Sequence, residues 1–166
     1  MAFDKAQMDQ QRRETSLKSM YFNRYLLIRY TTAVLFFVNL LWMIILLMVG
    51  SLVSVVPAAL LVFAVGVLVE QMRLLEHPSN QLPFAQKFYW AQGITNVLLL
   101  ISCYTPLYQT FFPFLVESPD AKRVLSTGLV FGTFLCAVGI RKVYTISLNK
   151  DRHFTRMESY KKAMNM

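Results

Sequence analysis

The sequence predicts an all-α fold, an integral membrane bundle of four transmembrane helices. Hydrophobic residues make up 55 % of the 166-residue chain and charged residues only 16 %, a balance typical of membrane proteins. Two long stretches, residues 30–69 and 88–116, contain no charged side chain. The Lys and Arg residues are concentrated near the two ends of the chain.

The first half of the chain predicts a cytoplasmic segment followed by a helical hairpin. Residues 1–24 are polar and of mixed charge. The uncharged residues 30–69 would form a helix about twice as long as the bilayer hydrocarbon is thick, because a helix rises about 1.5 Å per residue. The chain must therefore reverse, and Gly50-Ser51 near the centre is the expected turn. The predicted spans are about 30–49 and 52–69.

The second half of the chain predicts two further spans. Residues 70–87 restore polarity and contain Pro78 and Pro83, which indicates a cytoplasmic loop. The third span is expected at about 88–105, with its helix kinked or broken near Pro106 and an aromatic-rich end along the far interface. The fourth is expected at about 124–140. The membrane domain then covers 25–140, and a basic cytoplasmic tail covers 141–166.

The distribution of positive charge predicts the orientation of the bundle. With four spans, the two termini and the 70–87 loop lie on one side, and they hold fifteen of the 17 Lys and Arg residues. Positive residues are enriched on the cytoplasmic side of membrane proteins. Both termini are therefore expected in the cytoplasm, and the cell membrane is the expected location.

The third predicted span carries a stripe of polar side chains. At 100° per residue, these fall within an arc of about 120°, together with Cys103: Gln92, Thr95, Asn96 and Ser102. An unpartnered amide is costly in lipid, so the stripe should face other helices or water. It could line a path for a small molecule or ion. We favour hydrogen bonds between helices, with Asn39 and Thr32 as candidate partners, because no charged group lies at mid-membrane.

The fourth predicted span carries a strip of small residues on one side: Gly128, Gly132, Cys136 and Gly139. Such strips let two helices approach closely. Packing inside the bundle is the favoured interpretation. Contact with another membrane protein, or with a second copy of this chain, is the alternative.

Two charged residues stand at the cytoplasmic boundary of the first and second spans. Arg29 precedes the first uncharged run and Glu70 follows it. An ion pair between them would make both charges tolerable at the membrane boundary. A catalytic or coupling role for Glu70 is the alternative hypothesis.

The tail predicts a basic amphipathic helix on the inner leaflet. Phe154, Met157, Tyr160 and Met164 share one helical face. The basic residues around that face could contact anionic lipid head groups: Arg152, Arg156, Lys161 and Lys162. Docking on a soluble partner and a merely solvated tail are the alternatives.

No pattern in the sequence indicates a catalytic, cofactor or metal site. Nucleotide-binding, hydrolase and zinc-protease motifs are missing. The only cysteines, Cys103 and Cys136, lie in apolar segments and are interpreted as packing residues. The net charge of +8 is explained by anionic lipid rather than by nucleic acid.

These observations favour a non-enzymatic accessory, scaffold or regulatory subunit. It would bind membrane lipids and either another membrane protein or a second copy of itself. A small transporter or channel component using the polar stripe is the second hypothesis, although no predicted span contains an acidic residue, which counts against ion coupling. A lipid-acting enzyme relying on Glu70, His77 or His153 is the least favoured.

Overall fold

The structure is a computed structural model that describes residues 2–76, 81–148 and 150. Its helices are α1 (Ala2–Met48), α2 (Val55–Glu76), α3 (Pro83–Ser102), α4 (Tyr108–Phe111) and α5 (Pro119–Ser147), with a short 3-10 helix at Leu52–Ser54. The described residues contain no β-strand. The predicted all-α class is therefore confirmed.

Three stretches of helix are long and apolar enough to cross a membrane: Phe22–Met48, Leu52–Leu74 and Pro119–Ser147. They include the second and fourth predicted spans and all but the last residue of the first, and they are compatible with a membrane protein. The third predicted span falls largely in α3, which has 20 residues. Helix α3 is not among the helices of the described residues that are apolar enough by this measure, and it contains Gln86, Lys87, Gln92 and Asn96.

The helices extend beyond the predicted spans at both ends of the chain. Helix α1 is continuous from Ala2 and has no break near residue 24, since its sequence contains neither Gly nor Pro. Helix α3 begins at Pro83, five residues earlier than the predicted third span, because proline is well tolerated in the first turn of a helix. Helix α5 continues past Arg141 and Lys142 to Ser147.

The reversal between α1 and α2 is a tight turn. Gly50 has a φ of 72°, in the left-handed region that glycine adopts without a steric penalty. The Ser51 side chain then accepts a hydrogen bond from the Val53 amide at the start of the 3-10 helix. The two long helices therefore pack against each other as a hairpin.

Helix α3 packs against both α2 and α5, and α1 packs against α2 and α5. The largest buried cluster joins all four long helices, with Ile28, Val67, Phe88 and Ile146 among its members. After α3 ends at Ser102, residues 103–107 form turns and bends before α4. A second buried cluster gathers around this connection: Leu99, Cys103, Tyr108 and Phe112, with Trp42, Phe114 and Leu125 packed against it.

Candidate functional site

Three buried amide side chains form a continuous row of hydrogen bonds between α1 and α3. Asn39 donates from Nδ2 to the Leu35 carbonyl and to Gln92 Oε1, both at 2.7 Å. Gln92 in turn donates from Nε2 to Asn96 Oδ1 at 3.1 Å. We call Asn39, Gln92 and Asn96 the amide chain. It satisfies polar groups that would be costly if left unpartnered in the interior.

A second polar link between α1 and α3 lies next to the amide chain. The Tyr89 hydroxyl donates to the Ile28 carbonyl at 3.0 Å and lies 3.0 Å from Thr32 Oγ1. Because its only proton is used toward Ile28, Tyr89 accepts from Thr32. Thr32 was expected to pair with the polar stripe of α3. It pairs instead with Tyr89, which lies on α3 but is not a member of the stripe.

The other members of the polar stripe do not join the amide chain. Thr95 donates to the Ala91 carbonyl and Ser102 to the Leu99 carbonyl, so both bond within α3. Cys103 is buried in the cluster around the α3–α4 connection. The structure thus brings Gln92 and Asn96 together with Asn39, and leaves Thr95 and Ser102 apart from them.

A pocket of about 470 Å³ opens beside the amide chain, between α1 and α5 with α3 at its base. We call it the α1–α5 pocket. Its walls are mostly aliphatic and aromatic, and its polar lining residues are those of the amide chain. The full lining is Val34, Leu35, Val38, Asn39, Trp42, Ile45, Gln92, Asn96, Leu99, Phe112, Phe114, Val124, Leu125, Gly128, Leu129, Phe131, Gly132 and Leu135. None of these side chains is titratable.

The small-residue strip of α5 divides into a packed part and an open part. A Cβ built on Gly139 would lie 2.7–2.8 Å from the Tyr89 ring, and one on Gly132 would lie 2.8 Å from Asn96 Nδ2. Cys136 Cβ lies 3.6 Å from the Cβ position of Gly93 in α3. A Cβ on Gly128 would meet nothing within 4 Å. Three of the four residues therefore pack inside the bundle, and Gly128 borders the α1–α5 pocket.

The structure does not pair Arg29 with Glu70. The Glu70 carboxylate accepts from the Phe84 amide at 3.1 Å and the Ala85 amide at 2.9 Å. The Arg29 guanidinium lies 4.8 Å from the centre of the Phe22 ring. Glu70 thus caps the start of α3, whose first amides have no partner within their own helix. Pro83 is a sequence signal for the start of α3, but it does not identify the residue that caps this helix.

Two site residues were missed by the sequence analysis. Arg24 was assigned to the cytoplasmic segment, yet it is 1 % exposed and donates to the Ile146 carbonyl at 3.1 Å. A charge within the apolar stretch Phe22–Met48 is the signal that could have identified it. Trp42 was not singled out either, although it lines the α1–α5 pocket and stacks on Phe112.

Several predicted site residues lie outside the described part of the chain. These are His77, Arg152, His153, Arg156, Lys161 and Lys162. Within residues 2–76, 81–148 and 150, no group of three His, Cys, Asp or Glu side chains could hold a metal ion.

Comparison with protein-family models finds no match to this chain. Curated proteins and solved structures give no match either.

Proposed function

We propose that the protein crosses the cell membrane four times, with both termini in the cytoplasm. The three long apolar helices support three of these crossings, since each has the length and composition to cross a membrane. The fourth is α3, whose 20 residues rise about 30 Å, the usual thickness of the bilayer hydrocarbon. The asymmetric distribution of Lys and Arg supports the orientation.

The polarity of α3 is compatible with a crossing because its amides have partners. Gln92 and Asn96 are buried, at 4 % and 5 % exposed, and both belong to the amide chain. Helix α3 also packs on both α2 and α5, so its polar stripe is shielded from lipid. Polar side chains inside a helical bundle commonly bond to neighbouring helices in this way. The interruption of the helix after Ser102 then lies near the far interface.

Within the membrane, we propose that the protein is a non-enzymatic accessory or regulatory subunit that binds other membrane components. The observation that carries this proposal is the α1–α5 pocket. It offers apolar walls and amide groups but no acid, base or nucleophile among its lining residues. Such a surface suits recognition rather than chemistry.

Purification from native membranes in a gentle detergent tests the accessory role. We expect a second membrane protein, or a second copy of this chain, to elute with it in fixed stoichiometry after cross-linking. A membrane protein of similar size, expressed at the same level, controls for accidental capture in shared micelles. Elution as a lone monomer would contradict the proposal.

A transporter or channel component is the second candidate, because Gln92 and Asn96 line an open pocket. The hydrogen bonds of the amide chain favour the first candidate, since Gln92 is already engaged by both of its neighbours. Flux into vesicles that is lost in Gln92→Leu with Asn96→Leu, but kept in Thr95→Val, would support transport. Thr95 bonds only within α3 and serves as the matched control.

A further inference from the structure

A second cavity lies between the last part of α2 and the first turn of α3. Its volume is about 530 Å³, and we call it the α2–α3 groove. It shares no lining residue with the α1–α5 pocket. The lining residues that matter below are Gly66, Val69, Glu70, Arg73, Pro83 and Phe84.

The groove is apolar at its deep end and charged at the other. The Phe84 ring lies 3.3 Å from the Cβ position of Gly66, so these two residues mark the deep end. Phe84 and Val69 are 53 % and 44 % exposed, and the groove therefore opens sideways from the bundle. Arg73 lies seven residues beyond Gly66, roughly 10 Å along α2 toward the cytoplasm in the proposed orientation.

The charged end of the groove coincides with the cytoplasmic boundary of the hydrocarbon. The 20 residues of α3 rise about 30 Å from Pro83, which places Pro83 at this boundary. The apolar stretch of α2 ends at Leu74, one residue after Arg73. Lipid head groups occupy roughly the next 5–7 Å. An exposed arginine extends its guanidinium into that layer while its stem remains at the boundary.

Arg73 provides the uncompensated charge of the groove. Glu70 also lines it, but both carboxylate oxygens accept amide protons at the start of α3. The Arg73 guanidinium has no hydrogen-bond or ion-pair partner among the described residues. Lys87 adds a second exposed positive charge on the same face of α3 as Pro83 and Phe84. The cytoplasmic end of the groove therefore attracts a negatively charged group.

We infer that the α2–α3 groove binds an anionic glycerophospholipid of the inner leaflet. The phosphate oxygens accept hydrogen bonds from the Arg73 guanidinium, whose planar geometry suits a phosphate. An acyl chain lies against Val69 and Phe84. Basic pockets between transmembrane helices on the cytoplasmic side bind anionic head groups in this way. The inference rests on the proposed membrane location and orientation, and it deepens the proposed function by naming a lipid class that the protein binds.

A lipid matches both ends of the groove, whereas other occupants match only one. A soluble phosphate compound would pair with Arg73 but would leave the apolar side chains of Val69 and Phe84 uncovered. A transmembrane helix of a partner protein would cover the apolar walls. Its backbone groups are bonded within the helix and its lipid-facing side chains are apolar, so it would leave Arg73 without an anion.

Binding of phosphatidylglycerol to the full-length protein in detergent micelles tests the role of Arg73. Native mass spectrometry measures the dissociation constant of the first lipid bound. Arg73→Gln should weaken this binding about fivefold, the effect of one net hydrogen bond at an exposed site. Arg141→Gln removes the same charge from an exposed position of α5 outside the groove, and should weaken binding less than about twofold. Equal losses would overturn the inference, because they would indicate attraction to the general surface charge.

Two partly exposed valines of α2 test the groove itself. Val69→Phe places a larger side chain in the groove and should weaken phosphatidylglycerol binding by about threefold or more. Val65→Phe adds the same bulk at a position that is 48 % exposed but outside the groove, and should leave binding unchanged. Equal affinity of the two variants for the lipid would overturn the inference.

Comparison of ligands tests the chemistry of the occupant. Phosphatidylglycerol should bind about three- to tenfold more tightly than phosphatidylcholine, whose choline group cancels the phosphate charge. Glycerol phosphate, which lacks acyl chains, should not displace the lipid at equal concentration. Equal affinity for the two lipids, or displacement by glycerol phosphate, would overturn the assignment of an anionic lipid.

Two further outcomes separate the lipid site from the proposed function. A membrane protein that co-purifies with the wild type and Val65→Phe but not with Val69→Phe, while lipid affinity is the same in all three, would assign the groove to that protein and overturn the inference. Failure of the protein to insert into phosphatidylcholine vesicles would contradict the proposed membrane location itself. Insertion without preference for phosphatidylglycerol would overturn the lipid site alone.

Discussion

Arg24 places a positive charge inside the bundle, at the point where α1 meets the end of α5. Its guanidinium donates to the Ile146 carbonyl and lies 5.9 Å from the centre of the Tyr25 ring. The last carbonyls of a helix have no partner in their own helix, and a cation is favourable beside them. A buried charge without partners would instead be strongly destabilising. This hydrogen bond therefore links α1 to the end of α5.

Arg24→Met should lower the free energy of unfolding by about 1.5–3 kcal/mol, because it removes a charged donor from a buried carbonyl while keeping the apolar stem. Arg29→Met is the matched control, since the Arg29 guanidinium contacts only the face of Phe22 among the described residues. Arg29→Met should lower the free energy of unfolding by less than about 1 kcal/mol. Helicity during titration with a denaturing detergent measures both variants. Similar losses for the two would contradict the structural role assigned to Arg24.

At the scale of the elements, Glu70 connects the last part of α2 to the first turn of α3. Its two carboxylate oxygens each accept one amide proton, from Phe84 and from Ala85. Anionic groups are favourable at a helix N-terminus. The cap explains how α3 can begin at Pro83, directly after the loop, without a capping side chain of its own.

Glu70→Ala should destabilise the protein by about 0.5–2 kcal/mol, the usual cost of losing an N-terminal cap. Amide hydrogen exchange should rise at residues 84–86 and remain unchanged in α5. The double variant with Arg29→Gln separates this cap from an ion pair. If the cap is the cause, the effects of the two substitutions add. A coupling energy above about 0.5 kcal/mol between the two substitutions would instead support the ion pair expected from the sequence.

The close packing of α3 on α5 depends more on Gly139 than on Gly128. Gly139→Ala should destabilise by about 1–3 kcal/mol, because the new methyl group overlaps the Tyr89 ring. That ring cannot easily move, since its hydroxyl is held by Ile28 and Thr32. Gly128→Ala should leave the free energy of unfolding unchanged or raise it by up to about 1 kcal/mol, because alanine favours the helix more than glycine does. Thermal unfolding in detergent compares the two, and equal shifts would contradict the packing described.

At the scale of the whole molecule, the sequence predicted the helices better than their contacts. The all-α class and three apolar helices followed from charge-free stretches, and Gly50-Ser51 indicated a turn because it lies at the centre of forty uncharged residues. Helix ends were placed less well. Charged residues such as Arg24 and Lys142 continue a helix, so the limits of hydrophobicity are not the limits of the helix.

The candidate site was only partly predictable for a similar reason. The amide residues Gln92 and Asn96 were visible because polar groups in an apolar stretch need partners. The α1–α5 pocket was not visible, since it depends on how α1 and α5 lie around α3. The partner of Glu70 could not be chosen from the sequence either, because a carboxylate binds a guanidinium and a helix N-terminus by the same electrostatics.

The number of crossings decides on which side of the membrane the connection between α3 and α5 lies. In the proposed orientation, residue 116 lies outside the cell if α3 crosses. If only the three more apolar helices cross, it lies in the cytoplasm. Val116 is 83 % exposed, so Val116→Cys offers an accessible thiol without disturbing the Ser118 cap of α5. Both native cysteines are buried and give little background.

We expect a membrane-impermeant maleimide to label Val116→Cys in intact cells, and to label Met8→Cys only after lysis. Met8 is exposed on the N-terminal part of α1, which the four-crossing arrangement places in the cytoplasm. The excess of basic residues on that side makes this orientation the favoured one. Labelling of both variants only after lysis would indicate that α3 does not cross. Labelling of Met8→Cys alone in intact cells would indicate that the bundle has the opposite orientation.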